Sequence, residues 1–472
     1  MPIPCNWQRS FSDFLSPCLK TLDHPKQRAC LPRYVRGLLA PLERKSTEPI
    51  AEYLGLPYQR LHHFLNVSPW DTNQFEGFLA ERAQSLCGAK NGVLIIDDTA
   101  LPKSGEHSVG VAHQYCGALG KLANCPSLVT LTLADQRVFA PLGMRLFLPK
   151  GWTDNSERCR LAGVPENLQV YKSKGELALE ELDRVRAQGV TFRVVLADAG
   201  YGVSKEFRQA LTTRGLTWAV GVVGHQKVFG QHVTVHDPPP RAKGKGRPSK
   251  HPVLSEQARP SRDVLHGLPP HHWHTVKGGK KSRWVVVRAR IADGIEDARG
   301  RHLPGERVWV VGEKRRGGEI KYDVTNHLAS TSKAQIVRDV KARWSCETLH
   351  QQAEEELGLD HFQGRSWRGL THHVTLVMLT IAVLADRTCR DLRHRADRDL
   401  AAGTASGEPD PRGGPAWSVS TLWGTGAQST SMSYQESDKV VVDLHQLAAR
   451  LHVNPQRNAK TPAHGFKRND PS

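Results

Sequence analysis

The chain has 472 residues, enough for two or three domains, and its 65 lysine and arginine residues exceed the 47 acidic ones to give a net charge of +18. This excess favours nucleic acid over a membrane, because the longest apolar run, residues 374–385, cannot span a bilayer and the start lacks a signal-peptide pattern. Nine scattered cysteines without a CxxC pair argue against a disulfide scaffold or a zinc cage, and they predict reduced thiols in a cytoplasmic protein.

Residues 1–90 have the pattern of a helical domain. Within it, residues 46–65 predict two helices separated at residues 55–57, with Ser46 or Thr47 capping the first helix. The layout suits a helix-turn-helix whose second helix enters a DNA groove, and it suits a plain helical hairpin equally well. Both interpretations stay open.

Strand and helix patterns alternate over residues 91–223, which is typical of an α/β fold. The predicted strands are residues 93–97, 127–134, 191–197 and 217–223, and the predicted helix is residues 174–188.

The pattern changes in the last half of the chain. Residues 224–330 contain a basic, Pro/Gly-rich loop at 238–252 and then strand-like runs, which predicts an inserted, mostly β module. Helical patterning returns over residues 331–398. Residues 399–472 are rich in Gly, Ser, Pro and Thr, and their composition predicts a poorly ordered tail.

Acidic residues end two of the buried strands. Asp97 and Asp98 follow the apolar run of the first strand, and Asp198 follows the run at 194–196. A single such aspartate usually forms a turn. Two strand ends of one α/β unit that both carry acids favour a shared site, because ligands of such sheets bind at the carboxyl ends of the strands.

A third acid lies on a predicted helix. Arg343 and Glu347 are four residues apart and so share one face, and the apolar neighbours Trp344 and Cys346 predict that this part of the helix is partly buried. For the glutamates at 354–356 we expect a solvated charged face. Three carboxylates from two strands and a helix can hold two divalent cations, and oxygen ligands suit Mg²⁺ or Mn²⁺.

Three motifs, "IDDTALPKSG", "LADAGYG" and "RWSCE", resemble in type and order the acidic motifs of bacterial insertion-sequence DDE transposases of the cut-and-paste type. The resemblance implies that Asp98, Asp198 and Glu347 are the catalytic, metal-binding residues, and that Asp97 is structural or supports the site. The first two acids are 100 positions apart and the last two 149, and the second gap holds the β-rich insertion.

The family signature around the glutamate is only partly present. Arg343 keeps its place and is implied to steady a phosphate, whereas the usual tyrosine position is Val340 and the usual lysine position is Glu354.

Cations and aromatic residues near the motifs suit DNA binding. Lys103 follows the first acidic motif, and Arg365, Trp367 and Arg368 lie after the glutamate helix. Cations can neutralise phosphates and aromatic faces can stack on unpaired bases. The alternative is that Trp367 and Phe362 belong to the hydrophobic core.

The resemblance implies a fold and a function. We expect an α/β fold, a ribonuclease-H-like mixed sheet with flanking helices, whose catalytic core (91–223 and 331–398) is interrupted by the β-rich insertion (224–330) and preceded by the N-terminal helical domain. We expect a nucleoid-associated transposase, acting as a homodimer on terminal inverted repeats and target DNA. The alternatives are a metal-dependent nuclease that cuts without joining strands and a DNA-binding regulator with a dead site.

Overall fold

Helices flank one large sheet in the computed structural model, which describes residues 7–88, 91–135, 137–238, 251–275, 282–297 and 300–401. Five helices precede the first strand: α1 (Trp7–Thr21), α2 (Pro25–Leu39), α3 (Thr47–Tyr53), α4 (Tyr58–Asn66) and α5 (Asn73–Cys87). The later helices are α6 (Lys150–Thr153), α7 (Ser156–Leu161), α8 (Lys174–Ala187), α9 (Ala199–Gly202), α10 (Lys205–Thr213), α11 (Ser261–His266), α12 (Lys333–Ala342), α13 (Trp344–Gln351) and α14 (Trp367–Ala401).

The strands form one 11-stranded sheet and two small two-stranded sheets. The first seven strands are β1 (Val93–Ala100), β2 (Ala112–Cys116), β3 (Lys121–Cys125), β4 (Ser127–Ala134), β5 (Phe139–Phe147), β6 (Val194–Ala197) and β7 (Trp218–Val222). The others are β8 (Lys227–Gly230), β9 (Val235–His236), β10 (Val253–Leu254), β11 (Arg259–Pro260), β12 (His274–Thr275), β13 (Arg283–Ile291), β14 (Arg307–Lys314) and β15 (Ile320–Thr325).

Five neighbouring strands give the sheet its ribonuclease-H-like centre. Their order is β5-β4-β1-β6-β7, so that numbered among themselves they run 3-2-1-4-5. The first three are antiparallel to one another, and β1, β6 and β7 are parallel. The predicted fold class is therefore confirmed, and the carboxyl ends of the three parallel strands meet at one edge, where sites of such sheets form.

The sequence patterns did not predict strand β5. It contains Pro141, and a register irregularity lies beside it at Leu131 and Thr132 of β4. Proline cannot donate a ladder hydrogen bond, so it is tolerated in a strand at the sheet edge, which is where β5 lies.

The predicted β-rich insertion consists mostly of strands, but these continue the central sheet. Strands β15, β14 and β13 follow β7 in the sheet order, and the edge beyond them is β8 and β11. A short helix, α11, also lies in this segment, where the sequence indicated none. The basic loop at 238–252 lies almost entirely outside the described residues.

The long helix α14 packs against the N-terminal helices α2, α4 and α5 and against strand β5. Tyr34 of α2 lies 3.0 Å from His373 Nδ1, and the ring of Trp70 stacks on His372 at 3.7 Å. An apolar stretch of α14 is long enough to cross a membrane, but 89% of it is buried inside the protein, as in a core helix.

Helices α3 and α4 confirm the predicted helical pair, since α4 begins at Tyr58, directly after Pro57. The eight cysteines within the described residues are free and buried, in agreement with the predicted thiols. The predicted tail lies outside the described residues from 402 onward.

Candidate functional site

The two adjacent aspartates of β1 point to opposite faces of the sheet, because side chains alternate along a strand. Asp97 is paired with Thr130 of β4, and Thr130 faces helix α13, where its hydroxyl lies 2.9 Å from His350 Nε2. Asp98 is paired with Val129 and faces helix α8 instead. Asp97, and not Asp98, therefore lies on the face that carries the glutamate helix.

Asp98 is engaged in contacts that join β1 to its neighbours. Its Oδ2 accepts a hydrogen bond of 2.6 Å from Lys174 Nζ, at the start of α8, and one of 3.1 Å from the Ser127 hydroxyl. The structure therefore does not bring Asp98 together with Glu347, which the sequence-based assignment of Asp98 as the first ligand required. The resemblance placed the first acid by its position before Thr99, and this geometry instead favours Asp97.

Asp198 follows β6 and lies beside Asp97 in the parallel register, one step beyond the paired Ile96 and Ala197. Its Oδ1 accepts the backbone N–H of Tyr201 at 3.3 Å and so caps the short helix α9. A side chain on Gly221 of β7 would collide with the backbone at Asp198 and Ala199. The turn that holds Asp198 therefore needs a glycine beneath it.

Burial and the Asp198 carboxylate raise the pKa of Asp97 to about 7, against the opposing effect of Arg343. Burial and the charge of Asp98 likewise raise the pKa of Asp198. Carboxyl groups with raised pKa at the carboxyl ends of parallel strands indicate a site that lacks enough positive charge of its own.

Helix α13 presents Glu347 above this edge. Cys346 is fully buried, with Sγ 3.9 and 3.8 Å from the hydroxyls of Thr130 and Thr132, and burial lowers the pKa of His350 to about 4. These contacts fix the helix on β4. The Glu347 side chain is 48% exposed, so the expectation that it is buried was wrong.

The burial predicted for Trp344 was also wrong, since this residue is 57% exposed. The opposite error concerns Glu354, which was expected on a solvated face. Its carboxylate accepts a hydrogen bond from Thr99 of β1, and burial raises its pKa. Of the three consecutive glutamates, Glu355 is exposed as predicted.

Arg343 joins the acids of the strands to the acid of the helix. It lies at the junction of α12 and α13, with Nη1 3.4 Å from Asp97 Oδ2 and Nη2 3.5 Å from Glu347 Oε1. Burial lowers the pKa of Arg343, but the charges of Asp97, Asp323, Glu347 and Asp198 together raise it. Arg343 is therefore a cation surrounded by carboxylates.

The donor set fits a hard divalent cation. Asp97, Asp198 and Glu347 offer carboxylate oxygens at one edge of the sheet, and oxygen is the ligand atom that Mg²⁺ and Mn²⁺ prefer. In the described part of the chain, no three acidic, histidine or cysteine side chains are close enough together to hold an ion. Arg343 lies between Asp97 and Glu347, with one nitrogen 3.4 Å from the first carboxylate and another 3.5 Å from the second.

The residues predicted to contact DNA differ in how exposed they are and in whether they are already bonded within the protein. Lys103 is half-buried and donates to the carbonyls of Asp360 and Phe362, at 2.9 and 2.6 Å, and burial lowers its pKa to about 8. These bonds tie the loop after β1 to the loop after α13. Lys103 is thus engaged within the fold, and Phe362 is core, as the alternative interpretation stated.

Arg365 and Arg368 are exposed, which leaves them accessible to a phosphate backbone. The guanidinium of Arg368 donates to the carbonyl of Val67 at 2.8 Å, whereas Arg365 bonds through its own carbonyl, which accepts the N–H of Val109. Trp367 is half-buried at the start of α14. The roles of these three residues in DNA binding stay predictions.

Asp323 of β15 is an acidic residue beside the candidate site that the sequence motifs do not indicate. It is 9% exposed, and Arg343 is the opposite charge that acts most strongly on it. The available signal was an aspartate inside the otherwise strand-like run "IKYDVT", since a charged residue in a buried strand needs a partner.

Residues 15–283 match the model of a family described as DDE superfamily endonuclease. The chain belongs to this family. The match covers more than half of the chain and includes Asp97, Asp98 and Asp198, and it ends before Glu347. The predicted relationship to DDE enzymes is thus confirmed, while the role of each acid remains a prediction.

Among curated proteins, this family member is similar to a probable transposase for the insertion sequence element IS701 of Microchaete diplosiphon. The two are 31% identical over 191 residues, which are 39% of this chain and 46% of the relative. The matched stretch thus spans about half the length of that relative. A solved piggyBac transposase synaptic complex with hairpin DNA aligns over 85% of this chain and 86% of its own, at 11% identity and a TM-score of 0.39.

Proposed function

We propose that this DDE superfamily member is the transposase of an insertion element. It would bind the terminal inverted repeats of that element as a homodimer, cut the DNA there and join the freed 3′-hydroxyl to target DNA. The observation that carries the proposal is the convergence of Asp97, Asp198 and Glu347 around Arg343 at one edge of a ribonuclease-H-like sheet. The similarity to a probable insertion-sequence transposase supports it.

In this proposal Asp97, rather than Asp98, is the first ligand, together with Asp198 and Glu347. Mg²⁺ or Mn²⁺ bound there would supply Lewis-acid chemistry, activating the attacking water or 3′-hydroxyl and stabilising the leaving oxygen. Asp97 has to lose its proton to serve as a ligand, so protons compete with the cation, and the raised pKa of Asp97 strengthens that competition. Arg343 would bind the phosphate next to the scissile bond, because a guanidinium matches phosphate oxygens in geometry and charge.

The excess of positive charge would hold the DNA, and Arg365 and Arg368, which follow the glutamate helix in sequence, are exposed cations available to its phosphates. The exposed side of α4, with Gln59, Arg60 and His63, is the candidate for reading base sequence.

The test is cleavage and joining of DNA that carries the repeats flanking the gene. We expect Asp97→Asn, Asp198→Asn and Glu347→Gln to abolish Mg²⁺- or Mn²⁺-dependent cleavage and to keep DNA binding. Asp98→Asn is the matched control, because it changes a neighbouring carboxylate in the same way and should keep most of the cleavage activity.

The outcome also separates the alternatives. Cleavage without transfer of the 3′ end to a plasmid target would identify a nuclease, and specific binding without cleavage in either metal would identify a regulator. Loss of cleavage in Asp98→Asn with normal cleavage in Asp97→Asn would return the first ligand to Asp98.

A further inference from the structure

Four positions form a row across neighbouring strands on the face covered by α12 and α13. Asp97 of β1 lies beside Asp198, which follows β6, and Asp198 lies beside Gly221 of β7. Gly221 is paired with Asp323 of β15, whose partner on the other side is Val311. Residues side by side in a sheet point to the same face.

The packing of α12 confirms which face carries Asp323. Val311 packs with Ile336 and Val337 of α12, so the face that includes Asp323 is the one beneath the α12–α13 pair. The row therefore contains three carboxylates and one glycine, and the backbone of Asp198 and Ala199 occupies the space over the glycine.

Asp323 faces a cation that it does not touch. Arg343 contacts Asp97 and Glu347, and its side chain is only 19% exposed. Among the described residues, no lysine, arginine or histidine nitrogen lies within the 4.0 Å ion-pair distance of the Asp323 carboxylate. The charge of Asp323 nevertheless raises the pKa of Arg343 more than any other carboxylate except Asp97.

This arrangement sets a condition on metal binding. A divalent cation held by Asp97, Asp198 and Glu347 competes with Arg343, because the guanidinium already neutralises two of these three carboxylates. A mostly buried guanidinium that gives up its partners needs another one, since an unpaired buried charge is strongly unfavourable. Of the four carboxylates whose charges raise the pKa of Arg343, Asp323 is the one outside the proposed ligand set.

We propose that Asp323 is a positioning residue that accepts Arg343 when a divalent cation enters the acidic site. In the absence of the cation, Arg343 neutralises the ligands. In its presence, Arg343 turns toward Asp323 and its guanidinium stays fixed near the scissile phosphate. The inference rests on the proposed function, because it takes the three acids to be metal ligands.

The experiment is a double-mutant cycle on Mn²⁺ affinity, measured by titration calorimetry on the full chain without DNA at pH 8. We expect Asp323→Asn to weaken Mn²⁺ binding about tenfold, within the range that such cycles give for coupled residues. Arg343→Gln should strengthen binding, because it removes the competing cation. In the Arg343→Gln background, Asp323→Asn should have no further effect.

Two controls make the result specific. Glu313→Gln removes a carboxylate of the neighbouring strand β14, and it should leave the affinity near that of the wild type if only the row matters. If the Asp323→Asn variant does not unfold in a cooperative thermal transition, Asp323→Ser is used in its place, because it also removes the charge.

The outcomes separate this inference from the proposed function. If the wild type does not bind Mn²⁺, or if Asp198→Asn binds it equally well, the proposed metal site is wrong. If Asp198→Asn abolishes binding while Asp323→Asn matches the wild type, the site stands and the role of Asp323 is wrong. A tenfold loss that persists in the Arg343→Gln background would overturn the inference as well, because Asp323 would then act on the metal without Arg343.

Discussion

Replacing Asp97 by asparagine should stabilise the folded protein, whereas replacing its neighbour Asp98 by asparagine should destabilise it. Asp97 has a folded-state pKa of about 7, well above the ordinary value of 3.8, so its charged form is unfavourable in the folded chain. The stability that its protonated form contributes is full below pH 3.8 and is lost as the pH rises through 7. The asparagine side chain carries no charge at any pH, so Asp97→Asn should stabilise the metal-free protein above pH 7.

The size of the expected gain in stability follows from the pKa shift of Asp97. Three pKa units correspond to about 4 kcal/mol at pH 8, an upper limit that relaxation of the site reduces, and we expect a gain of about 2 to 4 kcal/mol. Asp98→Asn instead loses the ion pair with Lys174, whose two side chains are 31% and 27% exposed. Such a pair contributes about 1 kcal/mol, and its loss should destabilise the protein by that amount.

The assay is urea unfolding of the full chain in a chelator at several pH values between 4 and 8.5. The gain from Asp97→Asn should vanish near pH 4, where the wild-type carboxyl is protonated. The reasoning would be refuted if Asp97→Asn were less stable than the wild type at pH 8, or if Asp98→Asn were the more stable of the two variants.

Three further predictions concern the metal, the DNA and the fold. The Mn²⁺ affinity of the wild type should rise with pH until the pH exceeds the Asp97 pKa of about 7. Calorimetric titrations at pH 5.5, 7 and 8.5 should show this rise, and an affinity that does not change with pH would exclude Asp97 as a ligand. Arg365→Ala should weaken binding to element-end and random duplexes alike, and it should lower the slope of log affinity against log salt by about 0.9. Lys103→Met should instead lower the melting temperature of the protein and leave that slope unchanged. Arg60→Ala should reduce the preference for element ends in a competition assay, without changing the melting temperature; an unchanged preference would place base reading elsewhere.

Much of the central sheet could be predicted because its strands are buried on both faces. The predicted strand at 127–134 has the observed bounds of β4, and the predicted helix at 174–188 matches α8 to within one residue. Continuous apolar runs and a capping serine give clear local signals. Strand β5 was missed because Pro141 opposes a strand locally, and only its place at the sheet edge makes the proline acceptable.

The site was harder to predict, since it depends on which face each residue takes. Asp97 and Asp98 are adjacent in sequence, and the choice between them follows from the pairing of β1 with β4 and from the helix that covers each face. The cation whose charge acts most strongly on Asp323, Arg343, lies 20 positions along the chain, on another element. Trp344 is apolar in sequence but exposed in the structure, because the helix turns Cys346, Leu349 and His350 toward the protein interior and Trp344 away from it.

The pairing of the N-terminal helices with α14 also determines when the protein can finish folding. Trp70 and His372 are 302 positions apart, and α4 packs on the same helix. At about 5 to 20 residues per second, a ribosome needs roughly 15 to 60 s to make the intervening chain. During that time the helix α4 can pack against α2 and α3 but lacks its contacts with α14. The packing of the candidate DNA-reading helix is therefore completed only after Glu347, the last of the proposed metal-binding carboxylates, has been made.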